Sequence, residues 1–180
     1  NGNIIPDRTP KQRKNNTKFT FARYMFAFIR KRFGDLPVWK IAAAQRGMTD
    51  DNLIQSTNYK YLDEKGKILD MEGFQVSLGP LALPLNLRAT RNGTLVSITW
   101  DDPRDEPSAA PTDRMMVGIF YADYRDTFTL EKETGATRRD GKCEIILRDD
   151  DGEVCIHPFF ARADNTAFSE DKAITLPDTE

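Results

Sequence analysis

Cysteine and histidine are scarce in this sequence, which contains two cysteines and one histidine among 180 residues. A disulfide scaffold needs several cysteine pairs, and a structural zinc site needs four cysteine or histidine ligands, so both classes of protein are excluded. Cys143 and Cys155 fall on consecutive predicted strands, and we expect them in opposite sheets as two free, buried thiols. A disulfide between the two sheets stays open as the alternative in an exported protein.

Long apolar runs are also absent. The densest run, at positions 24–29, is far shorter than the ~20 residues that cross a bilayer, so the sequence excludes a transmembrane helix. The mean hydropathy of -0.58 and the 30% of charged residues are typical of a globular domain in water. The chain begins at Asn1 without an initiator methionine, so we expect that an upstream segment is missing and leave export undetermined.

The short motifs of known active sites are missing as well: there is no Walker-type loop, Gly-x-Gly-x-x-Gly, His-Glu-x-x-His or Gly-x-Ser-x-Gly. The acidic run 149–153 is the best metal candidate, followed by 101–102 and 105–106. The run lacks the alternating carboxylates of a calcium loop and predicts a solvated turn. His157 and Cys155 share one face of a predicted strand and should lean outward in parallel, which favours packing over nucleophilic catalysis. We therefore expect no enzyme, no cofactor and no metal.

Charge is divided unevenly along the chain. Residues 1–47 contain eleven lysines and arginines against two aspartates, a net charge of +9. The remaining residues contain 15 basic and 26 acidic side chains, a net charge of −11. This division favours attraction between the two parts, within or between molecules. The alternatives are an anionic partner, such as nucleic acid or a lipid surface, and no role beyond solubility.

The basic part predicts helices. Thr9-Pro10-Lys11-Gln12 is a helix start, with Thr9 as the N-cap, Pro10 at the first helical position and Gln12 completing a capping box. Apolar residues between positions 19 and 33 surround most of this helix, so we expect a neighbouring molecule to cover part of it, with packing in the chain's own core as the other interpretation. The residues expected at the interface are Phe21, Met25, Phe26, Phe28, Ile29 and Trp39.

Two further helices are predicted, one from 35–37 to Gly47 and a short one from 49 to about 58. Residues 58–62 and 67–71 flank a turn at 63–66 and predict a β-hairpin. The proline-interrupted segment 79–84 cannot be helical, so we place a boundary near residue 80. This gives a basic helical region with a hairpin at 1–79 and an acidic β-domain at 80–180.

Short apolar segments alternate with turns beyond this boundary. The predicted strands are 85–90, 94–100, 115–121, 127–132, 143–147, 154–161 and 172–176. Residues 95–100 alternate between apolar and smaller or polar side chains, which is typical of a strand with one buried face. About seven strands at this spacing predict an antiparallel two-sheet sandwich, so the predicted fold class is α+β, with N-terminal helices followed by this β-sandwich.

Two resemblances support this architecture. Segments 84–87, 96–100 and 159–164, with Ser169, resemble landmarks of fibronectin type III and immunoglobulin-like domains over about half of the chain. A wider set of motifs comprises Arg8-Thr9-Pro10-Lys11-Gln12 before Lys18-Phe19, Met48-Thr49 with Asn52 and Asn58, Trp100-Asp101, Thr112-Asp113, and Ala136-Thr137-Arg138-Arg139-Asp140-Gly141 before 143–147. Over nearly its whole length the chain is thereby similar to a Bacteroidota family catalogued as a domain of unknown function. Members of that family usually carry a glycine-rich leader of phage-structural character, which implies a role in assembly.

The predicted function is therefore a non-catalytic structural or assembly protein that associates with itself, as a repeated component of a bacterial surface or phage-like structure. The aromatic helix would pack against a neighbour, with charge complementarity setting the orientation. One alternative is nucleic-acid binding through Lys11, Arg13, Lys14 and Lys18. Another is a carbohydrate-binding module that presents Tyr121 and Tyr124. We expect an extracellular, cell-surface or virion-associated location rather than a cytoplasmic one.

Overall fold

Helices form the first part of the structure. The computed structural model describes residues 9–102, 106–148 and 152–179, with the side chains of 14–16 excepted. Within these ranges α1 spans Pro10–Phe33, α2 spans Val38–Ala44 and α3 spans Asp50–Asn58, and a 3-10 turn follows at Tyr59–Tyr61. The three predicted helices are confirmed.

The start of α1 lies where the capping signals place it. The Thr9 hydroxyl accepts a hydrogen bond from the N–H of Gln12 at 3.2 Å, and the Gln12 side chain accepts one from the N–H of Thr9 at 2.9 Å. These two bonds satisfy N–H groups that a helix start otherwise leaves unpaired. The helix ends at Gly34, whose φ of 58° is one that glycine adopts without strain.

The predicted β-hairpin at 58–71 is wrong as a pair of strands. Its first arm forms the 3-10 turn, and within the described ranges the two arms share a single bridge, between Leu62 and Ile68. The turn between them is present, since the Asp63 side chain accepts backbone N–H bonds across it. The second arm does not extend into a ladder because the N–H of Ile68 donates instead to the carbonyl of Arg125, at 2.7 Å.

The strands that follow form two antiparallel sheets. In the described part of the chain they are β1 Leu85–Asn92, β2 Leu95–Asp101, β3 Arg114–Tyr121, β4 Tyr124–Glu131, β5 Lys142–Ile146, β6 Val154–Ala161 and β7 Ile174–Leu176. One sheet has the order β1-β2-β5 and the other has the order β4-β3-β6-β7. An antiparallel sandwich of seven strands is the architecture of fibronectin type III domains. The predicted α+β fold with a fibronectin type III-like sandwich is confirmed.

The four-stranded sheet is buried on both faces. Successive residues of β3 point to opposite sides, so that Val117 and Ile119 face the three-stranded sheet whereas Met116 and Phe120 face the helices. The helices thus cover a sheet face that solvent would otherwise reach, and the molecule has three layers. Burial on both faces explains why β3 and β6 are apolar at nearly every position instead of alternating.

A connecting segment ties the helical layer to the sandwich. The Asn58 side chain holds the backbone of Gln75, accepting its N–H at 2.7 Å and donating to its carbonyl at 3.0 Å. The Asp171 side chain accepts the N–H groups of Val76 and Ser77, each at 3.1 Å. The boundary near residue 80 stays a prediction, and the helices before it share one hydrophobic core with the sheet that follows it.

Candidate functional site

Four of the six residues predicted to form an interface are covered by the chain itself. Met25, Phe26, Ile29 and Trp39 are at most 8% exposed and belong to the core between the helices and the four-stranded sheet. The expectation that a second molecule must cover them is wrong. The physical reason is that β3 and β6 carry apolar side chains on both faces, so the sandwich itself supplies the surface against which α1 packs.

The other side of α1 is exposed and aromatic. Phe21 is 43% exposed, Tyr24 is 71% exposed and Phe19 is 44% exposed. Phe28 is half-buried beneath the Arg32 guanidinium, which lies 4.5 Å from its ring centroid. Of the predicted set, Phe21 and Phe28 therefore remain at the surface. Sequence reasoning missed Phe19 and Tyr24, although the helical period places Tyr24 opposite the buried stripe and Phe19 at its flank.

A groove of about 850 Å³ lies between α1 and α3. Its α1 wall includes Phe19, Arg23 and Tyr24, and its α3 wall includes the amide side chains of Asn52 and Gln55. Arg30 and Asp51, which form an ion pair, connect the two walls. Aromatic residues and arginines are enriched in protein–protein interfaces relative to the rest of a protein surface.

The charge on α1 is of one sign. Its sequence contains eight lysines and arginines and no acidic residue. Of the four residues predicted to bind anions, Lys11 and Arg13 are exposed near its start, and Lys18 lies 4.2 Å above the ring of Tyr59. The side chain of Lys14 lies outside the described residues. A helix with this charge attracts an anionic surface and repels a second copy of itself.

His157 lies fully buried where the two layers meet. Its Nδ1–H donates to Asp171 Oδ2 at 2.6 Å, and its Nε2–H donates to the Met71 carbonyl at 2.7 Å. Burial by itself would lower the pKa of His157, but hydrogen bonds and charge interactions with Asp171 and Cys155 outweigh it and raise the pKa to about 9. The imidazole is therefore doubly protonated at neutral pH and forms a buried ion pair with Asp171.

Cys155 and His157 converge more closely than the sequence predicts, since Cys155 Sγ lies 3.4 Å from His157 Nε2. The expectation that the two side chains lean outward in parallel without converging is wrong. A Cys–His pair acts in catalysis when the imidazole accepts the thiol proton and a substrate reaches the sulfur. Here both ring nitrogens donate to other acceptors, and both side chains have zero exposure. The pair therefore stabilises the core, in agreement with the packing interpretation.

A second buried charge cluster surrounds Arg138. Its Nη1 lies 2.5 Å from Asp102 Oδ2 and its Nη2 lies 3.0 Å from Asp113 Oδ2, with all three side chains fully buried. The guanidinium also lies 4.3 Å from the ring centroid of Phe160. Both carboxylates are paired with the buried guanidinium, which is typical of a structural ion cluster. In the described ranges no cluster of histidine, cysteine and acidic residues could hold a metal ion, and the acidic candidates at 105 and 149–151 lie outside those ranges.

Burial decides two other predictions. Cys143 packs between the two sheets and Cys155 packs beneath the helices, so the four-stranded sheet separates these free thiols, and burial raises the pKa of the Cys143 thiol. The prediction of two free, buried thiols in opposite sheets is confirmed.

Tyr121 is buried, and its hydroxyl accepts the N–H of Arg148 at 3.0 Å. The expectation that Tyr121 presents a ring to carbohydrate beside Tyr124 is wrong.

Comparisons with known proteins yield distant structural neighbours only. No family model matches the chain and no curated protein matches it, so the membership of a Bacteroidota family stays a prediction. A protein described as a myokine has 17% sequence identity and a TM-score of 0.40, over 56% of this chain and 99% of that one. The FN1-FN3 domains of chicken CNTN1 have 6% identity and a TM-score of 0.41, over 58% of this chain and 34% of theirs. Likenesses this distant carry no argument about function.

Among the described residues, no helix has both the length and the apolar character that crossing a bilayer requires.

Proposed function

We propose that this chain is a non-catalytic assembly protein that associates with itself through the exposed side of α1. The observation that carries the proposal is the exposure of Phe19, Phe21 and Tyr24 on a helix without acidic residues, in a chain whose remainder is acidic. The proposal includes a role as a repeated component of a bacterial surface or phage-like structure, with an extracellular or virion-associated location.

The expected strength of this association follows from the exposed area. Full burial of one large apolar side chain contributes roughly 1.5–3 kcal/mol. Phe19 and Phe21 lie two residues apart and project to different sides of α1, so one contact covers Tyr24 and one of the two phenylalanines and contributes roughly 2 kcal/mol. Association costs at least about 4 kcal/mol in lost translational and rotational freedom. The rings alone are therefore insufficient, and attraction between the basic helix and the acidic remainder has to supply the rest. Weak binding that salt abolishes is the expected behaviour.

Light scattering of the purified chain as a function of concentration and salt tests the proposal. At about 0.01 M salt the Debye length is about 30 Å, and the mean mass should rise with concentration above the 20.5 kDa of one chain. At about 1 M salt the Debye length is about 3 Å, and the mass should fall towards that of the monomer. A chain that stays monomeric at every concentration in both salts contradicts the proposal.

A matched pair of variants connects the association to α1. Tyr24→Ser removes the most exposed ring of this helix, whereas Tyr124→Ser removes a half-exposed ring from β4. Neither ring is buried, so both variants should keep the fold. The mass increase at low salt should be reduced in Tyr24→Ser and unchanged in Tyr124→Ser.

Single-stranded nucleic acid is the second candidate partner. The observation in its favour is the exposure of Phe19 and Tyr24 beside Arg23, because bases can stack on such rings. From the sequence alone, the core was expected to use most of this aromatic surface. Fluorescence anisotropy of a labelled oligothymidylate measures such binding. The binding constant should fall steeply with salt and be lost when Lys11, Arg13, Lys14 and Lys18 are all replaced by glutamine. No binding at about 0.01 M salt excludes this candidate.

A further inference from the structure

We infer that the groove between α1 and α3 is occupied by the outer edge of strand β5 from a second copy of the chain. This inference rests on the proposed self-association and specifies which two surfaces meet. One molecule contributes its groove to the contact, and the other contributes the edge of its strand β5.

A symmetric contact between two α1 helices is disfavoured by charge. Each helix presents eight cationic residues and no anionic one, so a two-fold axis through α1 would bring like charges together. Most of the complementary charge lies on residues 80–180, which contain 12 basic and 20 acidic side chains, a net charge of −8. The partner surface on the second copy is therefore part of its sandwich.

Strand β5 is the sandwich surface best suited to the groove. It is an edge strand, and among the described residues no strand pairs with its outer side, which leaves backbone groups available there. Glu144 and Ile146 are exposed on it, Ile146 by 65%. Glu131 lies near this strand as well, because both it and Glu144 act electrostatically on the Cys143 thiol. Lys142 is exposed on the same strand, so the edge combines an apolar side chain with two carboxylates and one ammonium group.

The two surfaces match in length and in chemistry. From Phe19 to Arg30 the groove follows twelve residues of α1, about 18 Å at 1.5 Å per residue. The five residues of β5 extend about 16 Å at 3.3 Å per residue. Arg23 in the groove is complementary to Glu144 on the edge. The amide groups of Asn52 and Gln55 are suited to the unpaired backbone of an edge strand.

A contact of this kind has a definite consequence for assembly. Each copy carries both a groove and a β5 edge, so a bound pair still presents one free groove and one free edge. Head-to-tail contacts of this type add further copies unless a ring closes. The inferred contact therefore produces a series of masses beyond the dimer.

A mixing experiment tests the inference. Arg23→Glu damages the groove and Glu144→Lys damages the edge, and both positions are exposed. Each variant alone should remain near 20.5 kDa at low salt in light scattering. An equimolar mixture should regain the association, with masses beyond the dimer, because the intact groove of one variant binds the intact edge of the other and the two reversed charges also attract each other. Lys40→Glu and Glu153→Lys, which make the same charge changes at other exposed positions, should assemble as the natural chain does.

The outcomes separate this inference from the proposed function. If the natural chain associates but stops at the dimer, or if Arg23→Glu or Glu144→Lys assembles normally, the inference is overturned while self-association stands. If the mixture stays monomeric although the natural chain associates, the pairing of groove and edge is overturned. If the natural chain never associates, both the inference and the proposed function are overturned.

Discussion

Replacing Asp171 by asparagine is expected to weaken the junction between the helical layer and the sandwich. Asp171 Oδ2 accepts a hydrogen bond from His157, and its Oδ1 accepts the N–H groups of Val76 and Ser77. Asparagine retains the shape of the side chain but removes its charge, which leaves the buried imidazolium without a counter-ion. Breaking a buried ion pair in this way costs about 3–5 kcal/mol. The loss is a large part of the 5–15 kcal/mol by which a domain is typically stable.

The pH dependence of this loss follows from the pKa of His157. That pKa is about 9 in the folded chain and 6.5 in the unfolded chain. The difference corresponds to about 3 kcal/mol, at 1.36 kcal/mol per pKa unit. Because the folded value is raised, the contribution is complete below pH 6.5 and is lost as the pH rises through about 9. Urea denaturation should therefore show a large difference between the natural chain and Asp171→Asn at pH 6, and a smaller one above pH 9.

Two measurements decide whether this reasoning holds. Glu170→Gln, at an exposed neighbouring position, is the control and should leave the free energy of unfolding within about 0.5 kcal/mol of the natural value at both pH values. An NMR titration of the imidazole should give a pKa near 9 in the natural chain. A pKa near 6.5, or an Asp171→Asn variant as stable as Glu170→Gln at pH 6, would refute the buried ion pair.

Three further predictions concern stability. Arg138→Met should lower the free energy of unfolding by more than about 3 kcal/mol in urea denaturation, because it leaves Asp102 and Asp113 buried without a counter-ion, and a loss below 1 kcal/mol would contradict the cluster. Gly66→Ala should destabilise more than Gly135→Ala: both glycines have a positive φ, but a Cβ at Gly66 would lie 2.7 Å from the backbone of Phe21, whereas at Gly135 it would meet nothing within 4 Å. A thiol reagent should modify Cys143 and Cys155 only in denaturant, and reaction of the folded chain would contradict their burial.

Local signals in the sequence predict the elements of this fold well. The capping box at Thr9 and Gln12 places the start of α1, and the apolar segments place the strands, because both depend on residues close together in the chain. The hairpin at 58–71 does not extend beyond one bridge because the N–H of Ile68 donates to the carbonyl of Arg125, which lies far away in sequence. A local pattern carries no information about such a competitor.

The candidate site was harder to predict because burial on α1 depends on another layer. The sequence shows apolar residues around most of the helix but not which of them the sheet covers. Burial of β3 and β6 on both faces decides that Met25 and Ile29 are core while Phe21 and Tyr24 are surface. The junction at His157 was equally out of reach, since its partners Met71 and Asp171 come from separate segments. Charge division, in contrast, could be read from the sequence directly.

Sedimentation equilibrium of the natural chain beside Tyr24→Ser, at low salt, tests most directly whether the exposed side of α1 mediates self-association. We expect the natural chain to require a concentration-dependent mass above 20.5 kDa, and Tyr24→Ser to fit a substantially weaker association. A natural chain that fits a single 20.5 kDa species throughout, or a Tyr24→Ser variant that associates equally well, would contradict this role of the helix.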